Sequence, residues 1–248
     1  MTPLLRKPLF LAAATALALL PACAQPGATA SKAEIEKIVR DYILENPGII
    51  EEALIALSEQ EQAAAAAAAE AAISANKDKL YSLASDYSIG PADAKVTLVE
   101  FFDYRCGYCK RSVDWVRALP EAYDGEVRVV FKELPIFGGI SETAALAALA
   151  AGKQGKYWEM HAALMGLKSN DDLTELKIDE LAAAAGINVA RMRADMKSMA
   201  VQQQLAEMKA LGTALGVDGT PGFFIGNQNI QGANIPAIEA AIEAALKG

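Results

Sequence analysis

Histidine is nearly absent from this chain and cysteine is scarce: one His and three Cys stand among 248 residues. A structural zinc site takes four Cys, His or carboxylate ligands in a closed shell, so a zinc domain is excluded. Basic residues are outnumbered, 23 Lys and Arg against 31 Asp and Glu, for a net charge of −8. Recognition of nucleic acid or of an anionic lipid surface needs the opposite balance. The apolar stretch at residues 9–20 is too short for a spanning helix, which takes about 20 residues.

That stretch has another reading. Arg6 and Lys7 precede it and small residues follow, the three parts of a secretory signal over residues 1–24. Ala22-Cys23-Ala24 fits simple cleavage, while Leu20-Pro21-Ala22-Cys23 also resembles a lipobox that lipidates Cys23; Pro21 is awkward there and favours simple cleavage. Without Arg6 and Lys7 the bases fall to 21 against the same 31 acids, a net charge of −10. Cys106 and Cys109 then remain as the pair with free thiol chemistry. In an exported chain a single close pair points to redox work rather than to a disulfide framework. A periplasmic or cell-envelope location is expected.

Along residues 33–45, Ile35, Ile38, Val39, Tyr42 and Ile43 recur on one helical face, and Asn46-Pro47-Gly48 ends that helix. A second helix is predicted from about Ile49, with Ile50, Leu54 and Leu57 on a stripe before the alanine run toward Ile73 and Leu80. Gly90-Pro91 marks a change of composition. A strand is predicted over residues 96–102, then Cys106-x-x-Cys109, a helix over residues 110–119 that Pro120 stops, and a strand over residues 127–131. An alanine-rich helical block, about residues 141–215, reads as an insertion. A short hairpin and an amphipathic helix over residues 236–246 close the chain.

A Cys-x-x-Cys pair opening a helix sets its first thiol against unsatisfied N–H groups and the positive end of the helix dipole, which favours a thiolate. Cys106 is the expected nucleophile and Cys109 the resolving thiol. Arg105, Lys110 and Arg111 add positive charge nearby. Glu100 is a charged residue amid Val99, Phe101 and Phe102; desolvation should raise its pKa and let it take the proton of Cys109. His161, Trp158 and Met160 sit at helical spacing and read as core, as do Met192, Met196 and Met199.

The run from Val99 to Lys110 (Val-Glu-Phe-Phe-Asp-Tyr-Arg-Cys-Gly-Tyr-Cys-Lys), together with Gly219-Thr220-Pro221-Gly222-Phe223-Phe224-Ile225-Gly226, resembles the DsbA-like branch of the thioredoxin superfamily. Glu45-Asn46-Pro47-Gly48-Ile49-Ile50 resembles the leading segment of the ScsC-like subgroup. The resemblance implies an α/β thioredoxin-like fold over residues 91–248 with a helical insertion, preceded by an N-terminal helical stalk at residues 31–80 that assembles dimers or trimers. It further implies a cis Thr220–Pro221 bond facing the cysteines, whose backbone pairs with bound polypeptide, and Lys132 as a partner for Glu100; on sequence alone Lys132 reads equally as a solvated strand-end lysine. Gly107-Tyr108 between the cysteines and Thr220 before the proline depart from DsbA and resemble the DsbC-like isomerases. The implied enzyme is a thiol-disulfide oxidoreductase or isomerase acting on cysteine-containing exported polypeptides, reset by a membrane redox partner, with no cofactor, metal or nucleic acid. A copper(I)-binding protein using the same two thiols, or a holdase chaperone working through its long helices, remains open at this point.

Overall fold

The computed structural model describes residues 31–81 and 85–248. The leader at residues 1–24, with Cys23, lies outside the described residues. Two compact units divide the chain, residues 1–57 and 58–248.

In the first unit, α1 (Lys32–Glu45) opens on a capping box in which Ser31 and Glu34 satisfy each other's backbone donors. Asn46 and Pro47 separate it from α2 (Gly48–Ala75). Neither stripe finds cover: Ile35, Ile38, Val39 and Tyr42 are 51–64% exposed, and Ile50, Leu54 and Leu57 are 46–61% exposed. No residue of α1 is buried.

The second unit takes the end of α2, then α3 (Lys77–Tyr81), β1 (Tyr87–Ile89), β2 (Val96–Phe102), α4 (Gly107–Ala122) and β3 (Val127–Glu133). Five helices follow: α5 (Ile140–Gly152), α6 (Tyr157–Met165), α7 (Glu175–Ala184), α8 (Val189–Met196) and α9 (Met199–Ala214). Strands β4 (Gly222–Ile225) and β5 (Gln228–Gln231) and helix α10 (Ile235–Lys247) complete it. The sheet order is β1-β3-β2-β4-β5, with β2 and β3 parallel and the other pairs antiparallel.

Both faces of the central strands are covered, so β2 and β3 read as nearly continuous apolar runs. Leu98, Phe102, Val129, Phe131 and Phe223 face one core, shared with α4, the inserted helices and α10. Val99, Phe101, Val130 and Phe224 face the other, closed by Ile73 of α2, Leu80 of α3 and Leu211 of α9. The stalk expected at residues 31–80 therefore does not end as a free helix, since Ile73 and Leu80 belong to this second core.

Three local differences from the sequence reading have physical causes. Pro120 lies inside α4 rather than stopping it. A proline in the last turn forfeits one bond, and the exit comes later, where Asp124 and Gly125 adopt φ of 50° and 81°. Strand β1 precedes Gly90 and was not anticipated; three residues carry little periodicity, and it is held by tertiary contact, Tyr87 stacking on Tyr157 at 4.2 Å. Met199 is 83% exposed because it is the first residue of α9, while Met192 and Met196 are buried as expected.

Beneath the second core face lies a buried ion pair: Lys132 Nζ is 2.6 Å from Asp86 Oδ2, with both side chains at most 2% exposed. The ammonium also donates to the Lys79 carbonyl at 2.8 Å. Removing one partner strands the other charge, so Lys132→Met is expected to cost about 3–5 kcal/mol in urea denaturation. Lys132→Met with Asp86→Leu should recover much of that loss; a double variant no more stable than either single would contradict the pairing.

Candidate functional site: a dithiol at the start of a helix

Cys106 is the N-cap of α4, extended at φ −73° and ψ 116°, with no side-chain cap on the helix. The chain is brought there by Asp103, which the sequence reading missed. Its carboxylate accepts from Arg105 N at 2.7 Å, Phe137 N at 3.1 Å and Ser141 Oγ at 2.8 Å, and its carbonyl accepts from Cys106 N at 3.0 Å. The contact to Arg105 is an Asx turn, and Asp103-Tyr104-Arg105 was its only signal in the sequence.

Cys106 is 5% exposed and Cys109 1%, and both thiols are free. The Thr220–Pro221 bond is cis, and the Thr220 carbonyl lies 3.0 Å from Cys106 Sγ, from which it accepts when Cys106 is a protonated thiol. Strand β4 carries that bond beside β2, with Phe223 opposite Glu100.

The two thiols differ sharply in acidity. A hydrogen bond from the Cys109 thiol, against the opposing effect of burial and with help first from the Thr220 side chain and then from the Cys109 and Tyr108 backbone N–H groups, lowers Cys106 to about 5. Cys109 is pushed far up, first by burial, then by its hydrogen bond to Cys106 and by the charge of Glu100. Glu100, 3% exposed, is pushed up to about 8, mainly by burial and then by the charge on Cys106.

Lys132 is not the partner of Glu100. In the parallel register Lys132 lies opposite Phe101, on the other face of the sheet, where Asp86 takes it; nor is it solvated, being fully buried. The alternation of side chains decides this, and only the register reveals it. On the Glu100 face the register sets Glu133 beside Phe102. Glu133 is buried and accepts from Tyr104 Oη at 2.8 Å and Tyr157 Oη at 2.9 Å; burial holds its carboxyl well above the usual range. Tyr104 Oη also meets His161 Nδ1 at 3.2 Å, and burial lowers His161 to about 3. His161 is thus a neutral core residue and Met160 is buried with it, whereas Trp158, expected in the core, is only partly buried. Sequence reading passed over Glu133 because it stands at the very end of a strand, where acids are usually solvated.

A dithiol at a helix start, beside a cis-proline on a sheet of this order, defines a thioredoxin-fold dithiol protein. The family described as thioredoxin matches residues 82–244, and the copper resistance protein ScsC N-terminal domain matches residues 32–64. A solved structure of a Proteus mirabilis ScsC linker-deletion mutant is 28% identical with a TM-score of 0.66, covering 89% of this chain and 98% of that one. A thioredoxin-like oxidoreductase from Silicibacter pomeroyi is 36% identical with a TM-score of 0.66, covering 70% of this chain and 99% of that one. The Na(+)/H(+) antiporter NhaA 3 of Salinispora tropica is 33% identical over 65% of this chain, which spans only 25% of the antiporter's length. The chain belongs to the thioredoxin family, as a DsbA-like oxidoreductase of the ScsC type.

Because the fold depresses the pKa of Cys106, its thiolate contributes stability to the reduced protein that is complete above the free thiol's value of about 8.5. That contribution is lost as pH falls through about 5. Urea midpoints of the reduced protein should carry this pH dependence and those of Cys106→Ser should not. Identical pH profiles for the two proteins would refute the thiolate.

Proposed function

We propose that this chain is an exported thiol-disulfide exchange enzyme that reshuffles disulfides in secreted polypeptides. The observation that carries the reading is Cys106 at the N-cap of α4 with its sulfur 3.0 Å from the carbonyl of Thr220. Cys106 and Cys109 are its catalytic thiols, Glu100 its proton acceptor, and the Thr220–Pro221 backbone the place where a client strand pairs.

The Cys106 thiolate attacks a client disulfide; one client sulfur joins Cys106 and the other leaves as a thiolate. That thiolate can attack elsewhere in the client, and a later client thiol then displaces Cys106, so the pairing changes with no net oxidation. Alternatively Cys109 loses its proton to Glu100 and attacks the Cys106 sulfur, which releases the client reduced by two electrons and leaves the enzyme disulfide for a membrane partner to reduce. Discharge of Cys106 in the mixed disulfide removes one of the two causes that raise Glu100. Glu100 is thereby shifted toward its ionised form at the stage when the proton of Cys109 has to be received, although burial still holds its pKa up. Exposed Tyr108, between the cysteines, and exposed Phe137, against Arg105, supply apolar surface for an unfolded segment. Copper(I) held by both thiolates is the weaker reading, because it gives no role to the Thr220 backbone set against Cys106.

Residues 1–24 act as the export signal in this reading, removed by simple cleavage rather than by lipidation at Cys23, and residues 91–248 as the catalytic domain. Among the described residues no helix is long and apolar enough to cross a membrane. Residues 31–80 serve as the assembly segment: the uncovered stripes of α1 and α2 favour a dimer or trimer, and linked sites would hand a client from one Cys106 to another at high effective concentration.

Two outcomes test this. Cys109→Ser should accumulate mixed disulfides with a scrambled client, and Glu100→Gln should slow resolution by about a hundredfold while leaving the first attack within a few fold; equal slowing of both steps would remove Glu100 from the mechanism. Light scattering on residues 25–248 should give a dimer or trimer, and on residues 58–248, which keep Ile73 and Leu80 in the second core, a monomer with reduced repair of scrambled client. A monomer in the longer form would end the assembly reading.

A further inference from the structure

A groove of about 610 Å³ runs from Gly107, next to Cys106, along the outer face of α4. Its α4 wall uses positions one and two turns apart, including Lys110, Arg111, Asp114 and Arg117, and its other wall is α6 with the residues that follow it, including Trp158, Met165 and Lys168. The floor is apolar and the rim is basic: four cations and one carboxylate line a groove in a chain where acids outnumber bases.

Three of those cations are largely uncommitted. Lys110 Nζ, by contrast, donates to the Leu167 carbonyl at 2.9 Å and lies within the field of the Asp172 and Asp103 carboxylates. The Arg111 guanidinium stacks 4.3 Å from the centre of the Tyr108 ring, which fixes it beside the dithiol without neutralising it. Arg117 is 3.9 Å from Asp114, with both side chains at least 64% exposed, a pairing of little strength. Lys168 is exposed. A local positive field of this kind, over an apolar floor and leading to a reactive sulfur, favours a ligand that is acidic and partly apolar.

We infer that the groove binds the acidic stretch of a client polypeptide flanking its cysteine, so that the enzyme selects disulfides embedded in acidic, partly apolar sequence. This rests on the exchange reading above and names its substrate class. The client chain pairs at Thr220–Pro221 on one side of Cys106, and its continuation crosses Gly107 into the groove. There its carboxylates meet Lys110, Arg111, Arg117 and Lys168, and an apolar side chain meets Trp158.

The test uses the reduced full chain and two intramolecular-disulfide peptides that differ only in flanking residues, Glu-Glu-Leu or Lys-Lys-Leu. Stopped-flow fluorescence follows oxidation of the protein at low salt, and each protein's rate with uncharged hydroxyethyl disulfide normalises its peptide rates. The acidic peptide is expected to react about tenfold faster than the basic one. The ratio should shrink toward one at about 0.5 M salt, approach one in Arg117→Gln/Lys168→Gln, and reverse in Arg117→Glu/Lys168→Glu. Equal rates for the two peptides with normal hydroxyethyl disulfide exchange would overturn the inference and leave the exchange reading standing. An acidic preference that persists in the charge-reversed variant would overturn it too, as would a variant slowed toward glutathione disulfide alone. Failure to exchange with hydroxyethyl disulfide would instead bring down the exchange reading, and the inference with it.

Discussion

Keeping a negative charge on a sulfur that is 5% exposed requires donors to replace the water it has lost. At Cys106 they are the Cys109 thiol and the backbone N–H groups of the first turn of α4. Much of the surrounding structure serves that geometry. Asp103 folds the chain so that the sulfur falls at the N-cap, and the central strand β2 delivers Asp103 at its C-terminal end with seven strand residues behind it. The inserted helices then close over the approach, with Ser141 of α5 holding the same carboxylate.

The sheet keeps its titratable groups apart by face. Glu100 and Glu133 share the dithiol side and both are shifted toward the neutral form by burial, the second steadied by two tyrosine hydroxyls. Lys132 and Asp86 share the opposite side and neutralise each other. Strand alternation enforces this division, so a cation next in sequence to Glu133 leaves Glu100 uncompensated. An unpaired buried carboxyl near pH 8 is what a proton acceptor for a reluctant thiol needs, whereas a salt-bridged Glu100 would stay ionised and be too weak a base.

Much of this was legible in the sequence. The strand over residues 96–102, the helix opened by the Cys pair, the helical insertion and the closing helix follow from periodicity and from Gly and Pro punctuation; the motifs around Cys106 and Pro221 carried the thioredoxin-like fold, and the run from Glu45 to Ile50 the ScsC-type membership. What escaped depends on tertiary contact. Strand β1 is three residues held by a tyrosine stack, the role of Glu133 exists only through side chains 24 and 29 residues away, and Lys132 could be assigned to a face only once β2 and β3 were in register. Asp103 was the exception, since an Asx turn before the Cys pair is a local signal.

Titration of Glu100 itself tests the coupling between carboxyl and dithiol most directly. With carboxyl-labelled glutamate, carbon NMR of the reduced protein should show one midpoint near pH 8 that is absent in Glu100→Gln. Oxidation of the Cys106–Cys109 pair should move that midpoint down, because the charge on Cys106 is gone, while burial keeps it above the ordinary value of about 4.3. A midpoint in the ordinary range in both states, or one that does not respond to oxidation, would contradict the coupling.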